Sequence, residues 1–156
     1  MTASEKKKVE REIKLLTDLA DLMKKVRPDR FDMSSWASGP DCDMLSKVKD
    51  KPNECGTTAC AMGWATTLQS FKRMGVKLVK RHSAFRDNEN CDLVLEDKSG
   101  SQFEGQAVPE TLFEHLPLTL IERLFYDSTE DPKEKAKQIK EAAKFLSHKL
   151  KKEEKK

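Results

Sequence analysis

Cys55-Gly56-Thr57-Thr58-Ala59-Cys60-Ala61-Met62-Gly63-Trp64-Ala65 packs two cysteines, two glycines, two threonines and a tryptophan into one uncharged run of a chain that is 37% charged. Its reading decides how the middle of the protein folds. Cys60, Ala61, Trp64, Leu68 and Phe71 share one broad face at helical spacing, which predicts a helix from Thr57 to Met74. Gly75 then supplies the left-handed C-terminal position. Gly63 inside that helix costs about 1 kcal/mol relative to alanine. Something local must therefore want a small group there, either a closely packed backbone or a ligand lying against the helix.

On the N-terminal side, Thr2-x-x-Glu5 reads as a capping box ahead of Val9, Ile13, Leu16, Ala20 and Met23. A helix over residues 3–25 follows, ended by Pro28, which disfavours helical geometry at Arg27. The first-helix stripe of Ile13, Leu16 and Ala20 is expected to pack against Trp64, Leu68 and Phe71. Phe31, Met33 and Trp36 lie in a segment without clear period and anchor a loop or a helical turn. Residues 38–54, with Gly39, Pro40 and Pro52, read as a surface loop. Long loops in compact domains are frequently functional.

On the C-terminal side, Val76–Arg81 reads as a strand and His82–Asn90 as a charged loop. Cys91, Leu93 and Leu95 alternate, and Phe103, Gly105 and Ala107 alternate in a return strand after the Lys98–Ser101 turn. Pro109 opens a short helix to Leu116. Thr119-x-x-Glu122 reads as a second capping box, for a helix carrying Leu120, Ile121, Leu124 and Phe125. Asp131 caps the last helix, whose stripe is Ala136, Ile139, Ala143, Leu146 and Leu150. The fold class is α+β: a helical majority of about five helices with a small antiparallel sheet of two or three strands. One domain over residues 1–150 suits the 156-residue length, with a frayed Lys/Glu-rich tail at 151–156.

The net charge of +3 is unevenly spread: residues 133–156 carry ten Lys against four Glu, on a weakly acidic body. No apolar run approaches the roughly 18 residues of a membrane span, and the N-terminus lacks the apolar region of a secretory signal. These features predict a cytoplasmic protein with reduced thiols and no membrane partner.

Phe31-Asp32-Met33-x-x-Trp36, then Cys55-Gly56-Thr57-x-x-Cys60-x-x-Gly63-Trp64-Ala65, then Leu116-Pro117-Leu118-Thr119-x-x-x-x-Arg123-Leu124-Phe125, resembles a family of short uncharacterised bacteriophage and bacterial proteins. The likeness covers residues 30 to 145. It implies one intact domain of phage or bacterial origin, with no activity to carry over.

Four chemistries fit the residues. A helix beginning at Gly56 or Thr57 presents free amides and the positive end of its dipole to an anion. Gly56 allows close approach, Thr57 and Thr58 add hydroxyls, and Trp36 or Trp64 can stack on a flat group. Cys55, Gly56, Thr57, Thr58, Gly63, Trp36 and Trp64 are thus the ligand-binding candidates, for a small phosphorylated molecule. No P-loop lysine follows Gly56, so nucleotide triphosphate hydrolysis is not indicated.

In the second, Cys55 is a nucleophile with a depressed pKa and His82 its base, giving a cysteine-dependent hydrolase or transferase. His115 and His148 are rivals for the base, and a place near a helix C-terminus suits His148 to pairing with the dipole. In the third, Cys42, Cys55, Cys60 and Cys91 ligate a metal. They contain no Cys-x-x-Cys knuckle, so buried structural thiols are the better reading and no metal is expected. In the fourth, the Lys-rich last helix binds protein or nucleic acid. The glutamates dilute its charge and no aromatic follows Phe145, so a solvated face is favoured over nucleic acid.

The reading that ranks first is a non-enzymatic phage or bacterial accessory protein. It binds a small phosphorylated ligand or a host protein, counteracts host defence, and carries no cofactor.

Overall fold

The computed structural model describes residues 1–38, 58–80 and 90–155. The fold is α+β, with more than half of the described residues helical. Helix α1 (Ala3–Met23) begins at the expected capping box, with Thr2 accepting from the Glu5 amide and the Glu5 carboxylate accepting from the Thr2 amide. Helix α6 (Pro132–Glu153) begins at Asp131, whose side chain accepts from the Lys133 amide, and runs on through Lys151 and Lys152. The two lie side by side with opposite ends together: the N-terminal amine faces Glu153 and Lys6 pairs with Glu154. Theirs is the most extensive packing between any two elements among the described residues. Val9, Leu16, Leu19 and Met23 meet Ile139 and Leu146 in one core, every one of these side chains fully buried.

The helix expected over 57–74 is broken. Thr58–Ala59 is a short strand, β2; helix α2 is Ala61–Ala65; α3 is Gln69–Lys72. The break has a local cause at each end. Cys60 is extended (φ −74°, ψ 177°) and acts as N-cap, its Sγ accepting from the Gly63 amide at 3.5 Å. At the far end, Thr66 Oγ1 donates to the Gly63 carbonyl at 2.7 Å and Thr67 Oγ1 to the Trp64 carbonyl at 2.8 Å. Threonine hydroxyls thereby take carbonyls at the end of a helix that stops. Gly75 does adopt the left-handed conformation (φ +88°), and a Cβ there would stand 1.9 Å from the Glu96 carbonyl oxygen.

The sheet holds five strands among the described residues, not two or three. Beside β2 they are β1 (Ala37–Ser38), β3 (Val76–Lys80), β4 (Asn90–Glu96) and β5 (Gln102–Glu104). All pairings are antiparallel. Strand β3 runs along one edge of β4, from Val76 opposite Leu95 to Lys80 opposite Cys91. The other edge of β4 is shared: β1 pairs at its start, Ala37 opposite Cys91, and β5 at its end, Leu95 opposite Phe103. Strand β2 then pairs with β1, Ala59 opposite Ala37.

Two helix starts differ from the sequence expectation. Helix α4 (Ala107–Leu112) begins two residues before Pro109, and α5 (Leu118–Phe125) begins directly after Pro117 with no side-chain cap, so Thr119 and Glu122 form no capping box. Proline, with its fixed φ, starts the turn without one. Phe113 stacks on Phe125 (centroids 5.5 Å apart) and meets Phe71 edge-on at 6.4 Å, which joins α3 and α5 beneath the sheet. No helix among the described residues is long and apolar enough to cross a membrane.

Candidate functional site

The central motif is built into the fold by backbone hydrogen bonds to the Phe31–Trp36 segment. The Asp32 amide donates to the Ala59 carbonyl (3.1 Å), and the Cys60 amide donates to the Ser35 carbonyl (3.2 Å). Phe31 also bridges Ala59 in parallel. The motif therefore fixes Met33, Ser34, Ser35 and Trp36 against the start of β1.

Those four residues form one wall of a cleft of about 400 Å³. Cys91 and Asp92 of β4, Gly105 and Gln106 after β5, and Phe125 and Tyr126 at the end of α5 complete it. The cleft opens where β1 and β5 part company along their shared edge of β4. Trp36 and Tyr126 meet there edge to face, centroids 6.4 Å apart and planes at 79°. The Tyr126 hydroxyl donates to the Gln106 carbonyl at 2.8 Å, and burial pushes its pKa well above the usual phenol range. The Ser35 hydroxyl oxygen is buried with no hydrogen-bond partner. Among the described lining residues Asp92 is acidic and none is basic.

Of the residues expected to bind a ligand, Trp36 lines this cleft. Trp64 does not: it is fully buried, and its indole N–H donates to the Arg30 carbonyl at 3.1 Å, so neither ring face is open to stack on anything. Gly63 is also buried, and a Cβ there would lie 1.7 Å from the Trp36 carbonyl oxygen. Close backbone packing is thus the reason for the glycine, with no room left for a ligand. Thr58 and Ala59 belong to a strand, and α2 starts later, at Ala61, and has five residues. Cys42, Cys55, Gly56, Thr57 and His82 lie outside the described residues.

The cysteines divide. Cys60 is a free, buried thiol whose pKa burial raises to about 11, the opposite of an activated nucleophile. Cys91 is disulfide-bonded, which corrects the expectation of a reduced thiol there and removes it from any thiolate ligand set.

His115 faces Glu12, not the cleft. Its Nδ1 lies 2.6 Å from Glu12 Oε1, and its backbone amide donates to Oε2 at 3.3 Å. Glu12 is fully buried in the α1 stripe, where sequence periodicity gave no sign of it. With Glu114, which Lys8 holds at 2.8 Å, this is the described cluster of metal-ligand type. Its acceptors are already engaged by His115 and Lys8, so it reads as a buried pair that ties α1 to the end of α4. His148 Nδ1 sits 3.0 Å from the Lys144 carbonyl, inside the last helix.

Asp92, Gln106 and Tyr126 were beyond sequence reasoning because a strand edge, a strand end and a helix end meet only in three dimensions. Met33 and Trp36 did carry a signal, as large apolar side chains in a segment without period. No protein-family model, curated protein or solved structure matches this chain.

Proposed function

We propose that this chain is a non-enzymatic binding protein whose cleft between Trp36, Gln106 and Tyr126 receives a small, flat, polar molecule. The observation that carries the reading is the Trp36–Tyr126 pair at the mouth of a cleft with an unpartnered buried serine hydroxyl. Aromatic side chains supply a stacking surface worth roughly 1–3 kcal/mol per base. Ser35, Asp92 and Gln106 supply polar groups beside the two rings that can orient a ligand.

A nucleobase or similar heterocycle fits this chemistry. The phosphate of the sequence expectation has weaker support, since no cationic side chain lines the described part of the cleft. A role as a phage or bacterial accessory protein that counteracts host defence rests on the family resemblance alone. Binding of a host protein is the second reading, favoured by Phe145, which stays about half exposed in the α5–α6 groove.

The test is calorimetric titration of wild type and Trp36→Ala with adenosine, guanosine, their cyclic dinucleotides and inorganic phosphate. Heterocycle binding that Trp36→Ala abolishes supports the cleft. Equal binding by both proteins moves the site elsewhere. Binding of inorganic phosphate alone restores the anion reading, and no binding by wild type brings the protein-partner reading forward.

A further inference from the structure

The glutamates that dilute the charge of the last helix in sequence dilute its lysine face at one position, where Glu134 pairs with Lys137. Lys133, Lys137, Lys140, Lys144 and Lys151 follow one another at steps of four, three, four and seven, which keeps them on a single face of α6. All five are exposed, and His148, also exposed, fills the one vacant place in the series. The other three glutamates stand elsewhere. Glu153 and Glu154 turn toward the N-terminal amine and Lys6 of α1. Glu141 lines the groove facing α5, beside Arg123 and Phe145. Glu134 is engaged by Lys137 at 3.1 Å. Across the α1 flank, Asp18 and Asp21 are already held by Lys14 and Lys24.

From this arrangement we infer that the lysine face of α6 is a docking surface for the phosphate backbone of duplex nucleic acid, bound without regard to sequence. The row from Lys133 to Lys151 is about 27 Å long at 1.5 Å per residue. Laid along a duplex axis, that length spans roughly eight base pairs, at 3.4 Å of axis per phosphate of one strand. Its make-up selects the partner. Guanidinium groups recognise individual carboxylates and phosphates by paired hydrogen bonds, whereas lysine acts as a point charge. A row of lysines with no arginine reads charge density, which a polyphosphate backbone presents continuously and a folded acidic protein surface does not. No apolar side chain interrupts the row, so nothing on it reads bases.

The experiment is fluorescence anisotropy with a 20-base-pair DNA duplex of arbitrary sequence, titrated at several salt concentrations. Wild type is compared with Lys140→Gln/Lys144→Gln/Lys151→Gln and with the charge-keeping Lys140→Arg/Lys144→Arg/Lys151→Arg. Exposed positions leave the fold intact, which equal melting temperatures will verify. The expected result is wild-type binding whose log–log salt slope falls by about 2.7 in the glutamine variant, near 0.9 per lost contact, and is kept in the arginine variant. Absence of wild-type binding at low salt, or an unchanged slope in the glutamine variant, overturns the inference. So does equally tight binding of poly-glutamate, which would assign the face to acidic polypeptide instead.

Discussion

The carbonyl oxygen of Trp36 lies against Gly63 so closely that a Cβ at Gly63 would stand 1.7 Å from it. That contact clamps the segment carrying the cleft tryptophan onto α2, and it joins the hydrogen bonds through Asp32 and Cys60 into one continuous seam. Replacement by alanine cannot be absorbed by a flexible side chain, because the opposing atom is backbone. Gly63→Ala is expected to lose about 3 kcal/mol, the upper end of over-packing costs, and to displace Trp36 as well. A denaturation midpoint equal to wild type would mean that the seam opens freely.

Trp64 and Arg30 make a second tie across the same seam. Trp64→Phe keeps most of the buried ring but removes the indole N–H that donates to the Arg30 carbonyl. A loss of about 2 kcal/mol is expected, combining an unmet acceptor with a small cavity. Urea titration measures it, and a change below about 0.5 kcal/mol would show that water replaces the indole at no cost.

Alkylation followed by mass spectrometry separates the two described cysteines. In the folded protein at neutral pH, Cys60 should label slowly, being buried with its pKa raised to about 11. Cys91 should label only after a reductant is added, since it is disulfide-bonded. Rapid labelling of Cys60, or labelling of Cys91 without reductant in denaturant, would contradict this assignment.

Glu12 gives the stability a pH dependence of defined sign. Burial raises its pKa above the ordinary 4.5, and the hydrogen bonds from His115 oppose that rise without cancelling it. A carboxyl whose folded pKa lies above its unfolded one stabilises fully below the unfolded value. That contribution is lost as pH rises through the folded value. Relative to Glu12→Gln, wild type should therefore be most stable near pH 4 and lose ground as the pH is raised. Melting curves across that range provide the check; a wild-type advantage that grows with pH would show that pairing with His115 outweighs burial.

Periodicity made the long elements legible. The Thr2–Glu5 capping box, the Asp131 cap and the apolar stripes placed α1 and α6 within a few residues, and alternation at Cys91, Leu93 and Leu95 placed β4. The central motif was misread for a physical reason. Its apolar spacing suits a helix throughout, while the extended Cys60 and the hydroxyls of Thr66 and Thr67, which satisfy carbonyls at the end of α2, confine helix to a few residues. Strands β1 and β2 have two residues each and are too short to show any period. The cleft was legible only at Met33 and Trp36, because its other walls are contributed by distant parts of the chain.

The pairing of α1 with α6 also bears on how the protein is made. Helix α1 emerges from the ribosome with Val9, Leu16, Leu19 and Met23 uncovered, and its most extensive partner among the described residues, α6, follows about a hundred residues later. Until α6 follows, that stripe remains an open apolar surface available to chaperones or to other nascent chains. Covering that stripe therefore waits on α6, and a chain that stalls before α6 keeps it open.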